Sequence, residues 1–277
     1  MTIKKQAIIA FAAILITFLI INTANAEGIF NFGNDKETTE TDDTLVVGFN
    51  NQFPPFTYIN DNGEVSGFDM DLAKEVCKRN NWTFQPQPII DWNTKELELN
   101  SNEVDCIWSE FTINGREDDY TWSEPYFNNS QVVIVKTDSN ISKLSDLKGK
   151  NVEVQEGNSV LKTLEENKTL KNSFKQLTEV DEYDVAMMNL ESGVCDAIIA
   201  DSCMANYQVS KNSNGNDYKI LDEIISEEQY GIGFKKGNDE LKNQVQKTLD
   251  EMFKDGTVEK IAQNYTEYKI PEGINNP

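Results

Sequence analysis

Short apolar runs alternate along this chain with stretches whose apolar positions recur at helical spacing. Leu45-Val46-Val47-Gly48-Phe49 reads as a buried strand, and Pro54-Pro55 blocks its continuation. Phe56-Thr57-Tyr58 then pairs with Val65 across Asn60-Asp61-Asn62-Gly63, a hairpin turn. Asp69 is placed to cap a helix reaching about Asn80, with Met70, Ala73, Val76 and Cys77 as its apolar stripe. Phe84 to Ile90 is strand-like, but Pro86 and Pro88 push it toward a sheet edge. A weak helix over 94–100 leads to Val104–Trp108, a short buried strand.

From Gln131 the pattern restarts. Val132–Val135 and Val152–Val154 are strands, and Gly157-Asn158-Ser159 opens a helix with Val160, Leu161 and Leu164 inward. Such a turn exposes backbone N–H groups, which attract anions. Tyr183, Ala186, Met187 and Leu190 form one helical face closed by Gly193. The strand Ala197–Ala200 ends at Asp201, which either caps the next helix or serves a ligand. Tyr230–Lys235 reads as a strand, and Leu241, Val245, Leu249 and Met252 mark a helix broken by Gly256. A last short helix runs to about Tyr265. Strands alternating with helices predict an α/β class with mostly parallel sheets.

The chemistry gathers at residues 104–116, where the strand ends in a polar turn bearing Thr112 and Arg116 beside Asn114-Gly115. A hydroxyl and a guanidinium at a strand's C-terminal end are suited to receiving a carboxylate. Residues 193–201 echo this stretch: setting Asp105 against Asp196 sets Glu110 against Asp201. Two lobes of one build then face each other, one offering the cation Arg116 and the other the anion Asp201. That pairing suits a zwitterion.

Composition narrows the function. Asp and Glu number 47 against 25 Lys and Arg, a net charge of −22, which argues against nucleic acid or anionic lipid as a partner. No histidine occurs, which removes Ser-His-Asp and Cys-His catalysis and the usual zinc sites. Cys77, Cys106, Cys195 and Cys203 would permit disulfides in an exported chain, but their apolar settings favour buried free thiols. Lys4 and Lys5, an apolar stretch from Ala7 to Ile21 interrupted by Thr17, and Ala24-Asn25-Ala26 read as a signal peptide over 1–26. An uncleaved membrane anchor is the other reading of that segment. Residues 27–43, acidic and polar, read as a flexible linker.

At Gly67-Phe68-Asp69-Met70-Asp71-Leu72-Ala73-Lys74-Glu75-Val76 the chain resembles the family 3 extracellular solute-binding proteins, the polar amino-acid receptors of ABC transporters. The likeness continues through Phe111-Thr112-Ile113, Trp122-Ser123-Glu124-Pro125-Tyr126, Ile198-Ile199-Ala200-Asp201 and Tyr230-Gly231-Ile232-Gly233-Phe234, then Asp255-Gly256-Thr257. It implies the type II periplasmic-binding-protein fold, two α/β lobes, each a mostly parallel sheet flanked by helices, joined by a two-segment hinge. Lobe 1 would be 44–129 and 231–277, and lobe 2 would be 130–230.

By the same resemblance Thr112 and Arg116, with Phe111 beside them and backbone help from Ser159, hold the ligand's α-carboxylate. Asp201 takes its α-ammonium, and Phe53 and Trp92 wall the side-chain pocket. Family members commonly place the Arg five residues after the Thr; here it follows at four, across the tighter Asn114-Gly115 turn. A small residue is common where Glu110 stands. Glu110 either meets the ligand's side chain or pairs with Arg116.

The function implied is capture of a free amino acid for an ABC permease, by a monomer exported to the periplasmic or extracellular face, with no cofactor or metal. Aromatic walls with Glu110 and Glu156 nearby disfavour aspartate and glutamate. They suit arginine, lysine, ornithine, glutamine or cystine. Two other readings stand beside it: a cyclohexadienyl-dehydratase-like enzyme with Glu110 as general acid, and a stand-alone amino-acid sensor. The chain ends nine residues after Tyr268 without a membrane span, which argues against covalently attached signalling.

Overall fold

The computed structural model describes residues 43–212 and 217–276; the expected signal peptide and all but the last residue of the acidic linker lie outside them. The described residues open with β1 (Thr44–Phe49) and a small antiparallel sheet of β2 (Gln52–Phe53), β3 (Thr57–Ile59) and β4 (Val65–Ser66). Next come α1 (Phe68–Asn80), β5 (Thr83–Pro88), α2 (Lys95–Ser101), β6 (Cys106–Ile107) and β7 (Thr121–Trp122). The long β8 (Phe127–Lys136) begins the second sheet, followed by β9 (Asn151–Gln155), α3 (Val160–Glu166), α4 (Lys168–Lys171), β10 (Gln176–Val180) and α5 (Tyr183–Ser192). Then follow β11 (Ala197–Asp201), α6 (Ser202–Asn212), β12 (Tyr218–Ile220) and β13 (Ser226–Tyr230). β14 (Gly233–Phe234) returns to the first sheet, and α7 (Asp239–Lys254), α8 (Thr257–Ala262) and α9 (Ile270–Gly273) close the chain.

The first sheet has the order β5-β1-β6-β14-β7, and the second β10-β9-β11-β8-β12 with β13 also on β8. Both are mixed, which corrects the expectation of mostly parallel sheets. β1 pairs in parallel with β5 and β6, and β9 with β10 and β11, but every pairing of β8 and β14 is antiparallel. The cause is the hinge. The strands next to each crossing must run back along their neighbours to change lobes. The two crossings lie side by side, with Tyr126 N donating to Tyr230 O at 3.0 Å and Ser123 N to Ile232 O at 3.0 Å. This also splits the expected strand Tyr230–Lys235, since β13 ends at Tyr230 and Gly231-Ile232 is the crossing itself.

Strand β8 shows why the second lobe reads as continuous apolar sequence. Val132 and Ile134 face the main core together with Ile198 and Ala200, while Val133 and Val135 face a second cluster with Ala197, Ile199, Val160 and Leu164. Both faces are covered, so alternation disappears. β10, half-exposed along its length, lacks that signal and was not expected. The four cysteines are buried free thiols.

One expected role changes. Gly67, not Asp69, is the residue before α1, and Asp69 is fully buried at the second helical position. Its carboxylate accepts from Glu110 N at 2.6 Å and Tyr126 OH at 2.9 Å, so it ties α1 to the strand-end loop instead of capping the helix. Gly67 is required by space and by conformation. Its φ is +122°, and a Cβ there would stand 2.1 Å from Phe56 O. Gly67→Ala is therefore expected to lower the unfolding free energy by about 3 kcal/mol, read as a shift in urea midpoint. An unshifted midpoint would show that this corner yields freely.

Candidate functional site

Between the sheets lies a narrow cleft enclosing about 370 Å³ of non-atom space, part of it open to solvent. Its walls come from residues at or just beyond the C-terminal ends of β1, β5 and β6 on one side and β9 and β11 on the other. Open α/β sheets offer ligands this edge. All eight residues singled out in the sequence line it: Phe53, Trp92, Glu110, Phe111, Thr112, Arg116, Ser159 and Asp201. Asn50, Gln155, Glu156, Gly157 and Asn158 complete it. Of these, Asn50 and Gln155 carried no sequence signal.

On the first side, Ile113–Arg116 closes a turn, with Arg116 N donating to Ile113 O at 2.8 Å. The tight Asn114-Gly115 turn still delivers the guanidinium to the cavity, although Arg116 follows Thr112 at four residues. Arg116 Cζ lies 5.3 Å from the Phe111 ring, and Nη1 donates to Thr112 O at 3.2 Å. Among the described residues no carboxylate comes within ion-pairing distance of Arg116. The pairing of Glu110 with Arg116 is thus not formed. Trp92 stands edge-on to Phe111 at 6.0 Å. Buried Lys95 supports it from behind, its Nζ 3.2 Å from Trp92 O and 5.4 Å from the ring.

Glu110 is held in a left-handed conformation, φ +42°, with its N–H taken by Asp69. Its carboxylate lies against neutral hydroxyls instead of a cation. Thr57 Oγ1 donates to it at 3.0 Å, and Ser109 Oγ lies 2.9 and 2.8 Å from its two oxygens. Burial, then the Asp69 charge, push the Glu110 carboxyl well above its ordinary range, against the pull of the two hydroxyls.

On the second side, Asp201 does not cap α6; Asn129 Oδ1 does, accepting from Ser202 N at 3.3 Å. Asp201 instead accepts from Asn129 at 2.7 Å, Gln131 at 3.0 Å, Tyr230 OH at 2.5 Å and Asn158 at 2.9 Å. Burial, followed by the nearby Glu228 charge, raises its pKa to about 7. Ser159, just before α3, spends its hydroxyl on Glu228 at 2.6 Å. Glu228 and Asn129 carried no sequence reading, and Gln131 and Tyr230 were placed only as strand positions. The available signal was the parity of β8, where Asn129 and Gln131 share a face with Val133 and Val135 and so mark the polar end of a buried face.

Contacts also cross the cleft. Asn93 Nδ2 donates to Glu156 Oε1 at 3.0 Å, Lys162 Nζ donates to Gly115 O at 2.7 Å, and Phe53 meets Tyr183 edge-on at 5.9 Å.

A two-lobed α/β domain with a polar cleft over its strand ends defines a solute receptor. The chain belongs to the bacterial extracellular solute-binding proteins, family 3, whose profile matches residues 45–268. The probable histidine-binding protein of Neisseria gonorrhoeae is 30% identical over 232 residues, 82% of this chain and 83% of that one. A solved ancestral arginine-binding protein bound to arginine is 36% identical with a TM-score of 0.73, over 80% of this chain and 97% of that one. The structure of an ancestral arginine-binding protein bound to glutamine is likewise 36% identical, with a TM-score of 0.72 over the same shares. These relatives are binding proteins.

The buried acids set a pH dependence. Asp69, raised by burial, and Asp201 both have pKa values of about 7 in the fold, and Glu110 is also raised. Between the ordinary carboxylate pKa of about 4 and about 7, the folded protein therefore holds more protons than the unfolded chain. Stability from these groups is fully present below the unfolded pKa and is lost as pH rises through the folded one. Urea titrations without ligand are expected to show a falling unfolding free energy from about pH 5 to about pH 8, with a shallower fall in Asp69→Asn. A flat or rising profile would contradict the burial of ionisable acid.

Proposed function

We propose that this chain is an exported receptor that closes its two lobes on one free amino acid and passes it to the permease of an ABC importer. Lobe 1 is 44–129 with 231–277, and lobe 2 is 130–230. Membership of the bacterial extracellular solute-binding family, with relatives that bind histidine, arginine or glutamine, supports the class. The observation that carries the ligand assignment is the charge pattern of one cavity. Arg116, without a carboxylate partner among the described residues, awaits an α-carboxylate beside Thr112, and Asp201 across the cleft awaits an α-ammonium. A ligand bridging both lobes binds the closed state better than the open one and shifts the population toward it.

Glu110 sharpens the choice of side chain. A carboxyl buried without a cation is best served by a ligand that brings one, so arginine, lysine and ornithine rank above glutamine, and aspartate and glutamate rank last. Phe53 and Trp92 border the same space and favour a long or flat cation. Elimination from a prephenate-like acid is the competing reading, favoured only by the raised Glu110 carboxyl, as a general acid requires.

A thermal-shift panel of the twenty amino acids with ornithine and cystine tests the assignment. The largest shifts are expected from basic ligands, and none from aspartate or glutamate. Arg116→Ala is expected to cost about 3 kcal/mol, a hundredfold or more in affinity. Glu110→Gln is expected to weaken basic ligands selectively. An acidic amino acid as the strongest ligand, or wild-type affinity in Arg116→Ala, would overturn the site. Formation of phenylpyruvate from prephenate, or of phenylalanine from arogenate, would replace the receptor with an enzyme.

A further inference from the structure

Behind Asp201, away from the cavity wall, lies a second buried carboxylate, Glu228, 5% exposed. The sheet brings the two acids together. β8 runs between β11 and β13, and its register sets Gln131 opposite Asp201 and Asn129 opposite Glu228. Both amide nitrogens then serve both acids. Asn129 Nδ2 lies 2.7 Å from Asp201 Oδ1 and 2.6 Å from Glu228 Oε1; Gln131 Nε2 lies 3.0 and 2.7 Å from the same two oxygens. Gln131 turns its amide nitrogen fully toward the carboxylates although this leaves its own buried Oε1 without a hydrogen-bond partner. Tyr230 OH and Asn158 complete Asp201, and Ser159 Oγ completes Glu228.

Every one of these donors is neutral. The other titratable groups felt around the pair are Tyr183 on α5, Cys203 on α6 and Glu110 across the cleft, and none of them brings a positive charge. Arg116, the cation lining the same cavity, belongs to the opposite wall. Asp201, buried beside a second carboxylate that shares its donors, cannot ionise cheaply, so it holds a proton in the free protein.

We propose that Glu228 is a positioning residue for ligand recognition, which makes Asp201 and Glu228 an acid pair that surrenders one proton when the α-ammonium of an amino acid docks on Asp201. The ammonium supplies the missing positive charge, Asp201 ionises beside Glu228, and the displaced proton passes to solvent. Asp201's pKa of about 7 places this exchange within the ordinary working range of an exported protein. Loading therefore weakens as pH falls. This rests on the proposed amino-acid receptor function.

Isothermal titration calorimetry with L-arginine and with L-glutamine, in two buffers of different ionisation enthalpy, counts the protons released. Binding at about pH 8 tests the receptor reading by itself; a protein that binds neither ligand there fails that reading first. Given binding, about one proton is expected to leave per glutamine at about pH 6, with affinity dropping about tenfold per pH unit below 7. Glu228→Gln removes the second cause of the raised Asp201 carboxyl and leaves the first, burial, so it is expected to bind more weakly at pH 8, to release fewer protons at about pH 6 and to show a shallower pH slope. No release from the wild type, or an undiminished slope in Glu228→Gln, would overturn the proposal. Should that variant not fold, the wild type still decides through glutamine, which brings no cation to Glu110. Release with arginine alone assigns the proton to Glu110 and overturns the pairing, whereas release of about one proton with glutamine supports it, whatever arginine adds by meeting Glu110.

Discussion

Four carboxyl groups, Asp69, Glu110, Asp201 and Glu228, are buried within reach of the cleft, and no cation is bonded to any of them among the described residues. An ionised carboxylate out of water costs several kcal/mol unless it is paired or well hydrogen-bonded. The local sequence is organised to meet that cost with neutral donors. Thr57 and Ser109 serve Glu110, Tyr126 serves Asp69, and Asn129, Gln131, Asn158, Ser159 and Tyr230 serve the pair on the other lobe. Neutral donors hold the acids in place without cancelling their charge. The cleft therefore keeps an electrostatic demand that a cationic ligand can meet, and under the proposed acid pair this ties recognition to protonation.

The same donors tie the site to the hinge. Tyr126 stands at the first crossing and Tyr230 at the second, bonded backbone to backbone at 3.0 Å. Tyr126 reaches Asp69, which holds the backbone of Glu110, while Tyr230 reaches Asp201 directly. Each lobe's carboxylate is thus one or two hydrogen bonds from a crossing segment. Phe56, Phe127 and Tyr230 pack into one aromatic group at the same place, with Phe127 and Tyr230 stacked at 5.6 Å.

Much of this was legible in the sequence, for identifiable reasons. Helices with a clear stripe and a glycine stop, such as α5 with Tyr183, Ala186, Met187, Leu190 and Gly193, lie where their periodicity put them. The cavity-lining set came from strand ends followed by polar turns, together with the family resemblance. What was missed depends on partners distant in sequence. Glu228 reads as one more surface acid until β13 pairs with β8 and turns it inward beside Asn129. Asp69 reads as a helix cap because its position in sequence suits one; only the packing of α1 against the 108–116 loop redirects it. The antiparallel character of β8 and β14 is equally a property of the crossings and leaves no local pattern.

The echo between the lobes shows where duplication stops and specificity begins. Asp105 and Asp196 do the same work, each accepting from the backbone N–H at or near the start of the adjoining strand, Val46 at 2.7 Å and Asn151 at 2.8 Å. That is architecture, and both lobes keep it. Five residues on, at the cleft end of each strand, the counterparts are Glu110 and Asp201, and their surroundings differ. Glu110 has a left-handed backbone and two hydroxyl neighbours, whereas Asp201 ends a regular strand and shares amides with a second acid. A symmetric cleft would offer two equivalent anions and could not tell one end of an amino acid from the other. Arg116 beside Glu110, facing the Asp201–Glu228 pair, gives the cleft a direction, and on the proposed function the ligand's carboxylate and ammonium each have a single place to lie.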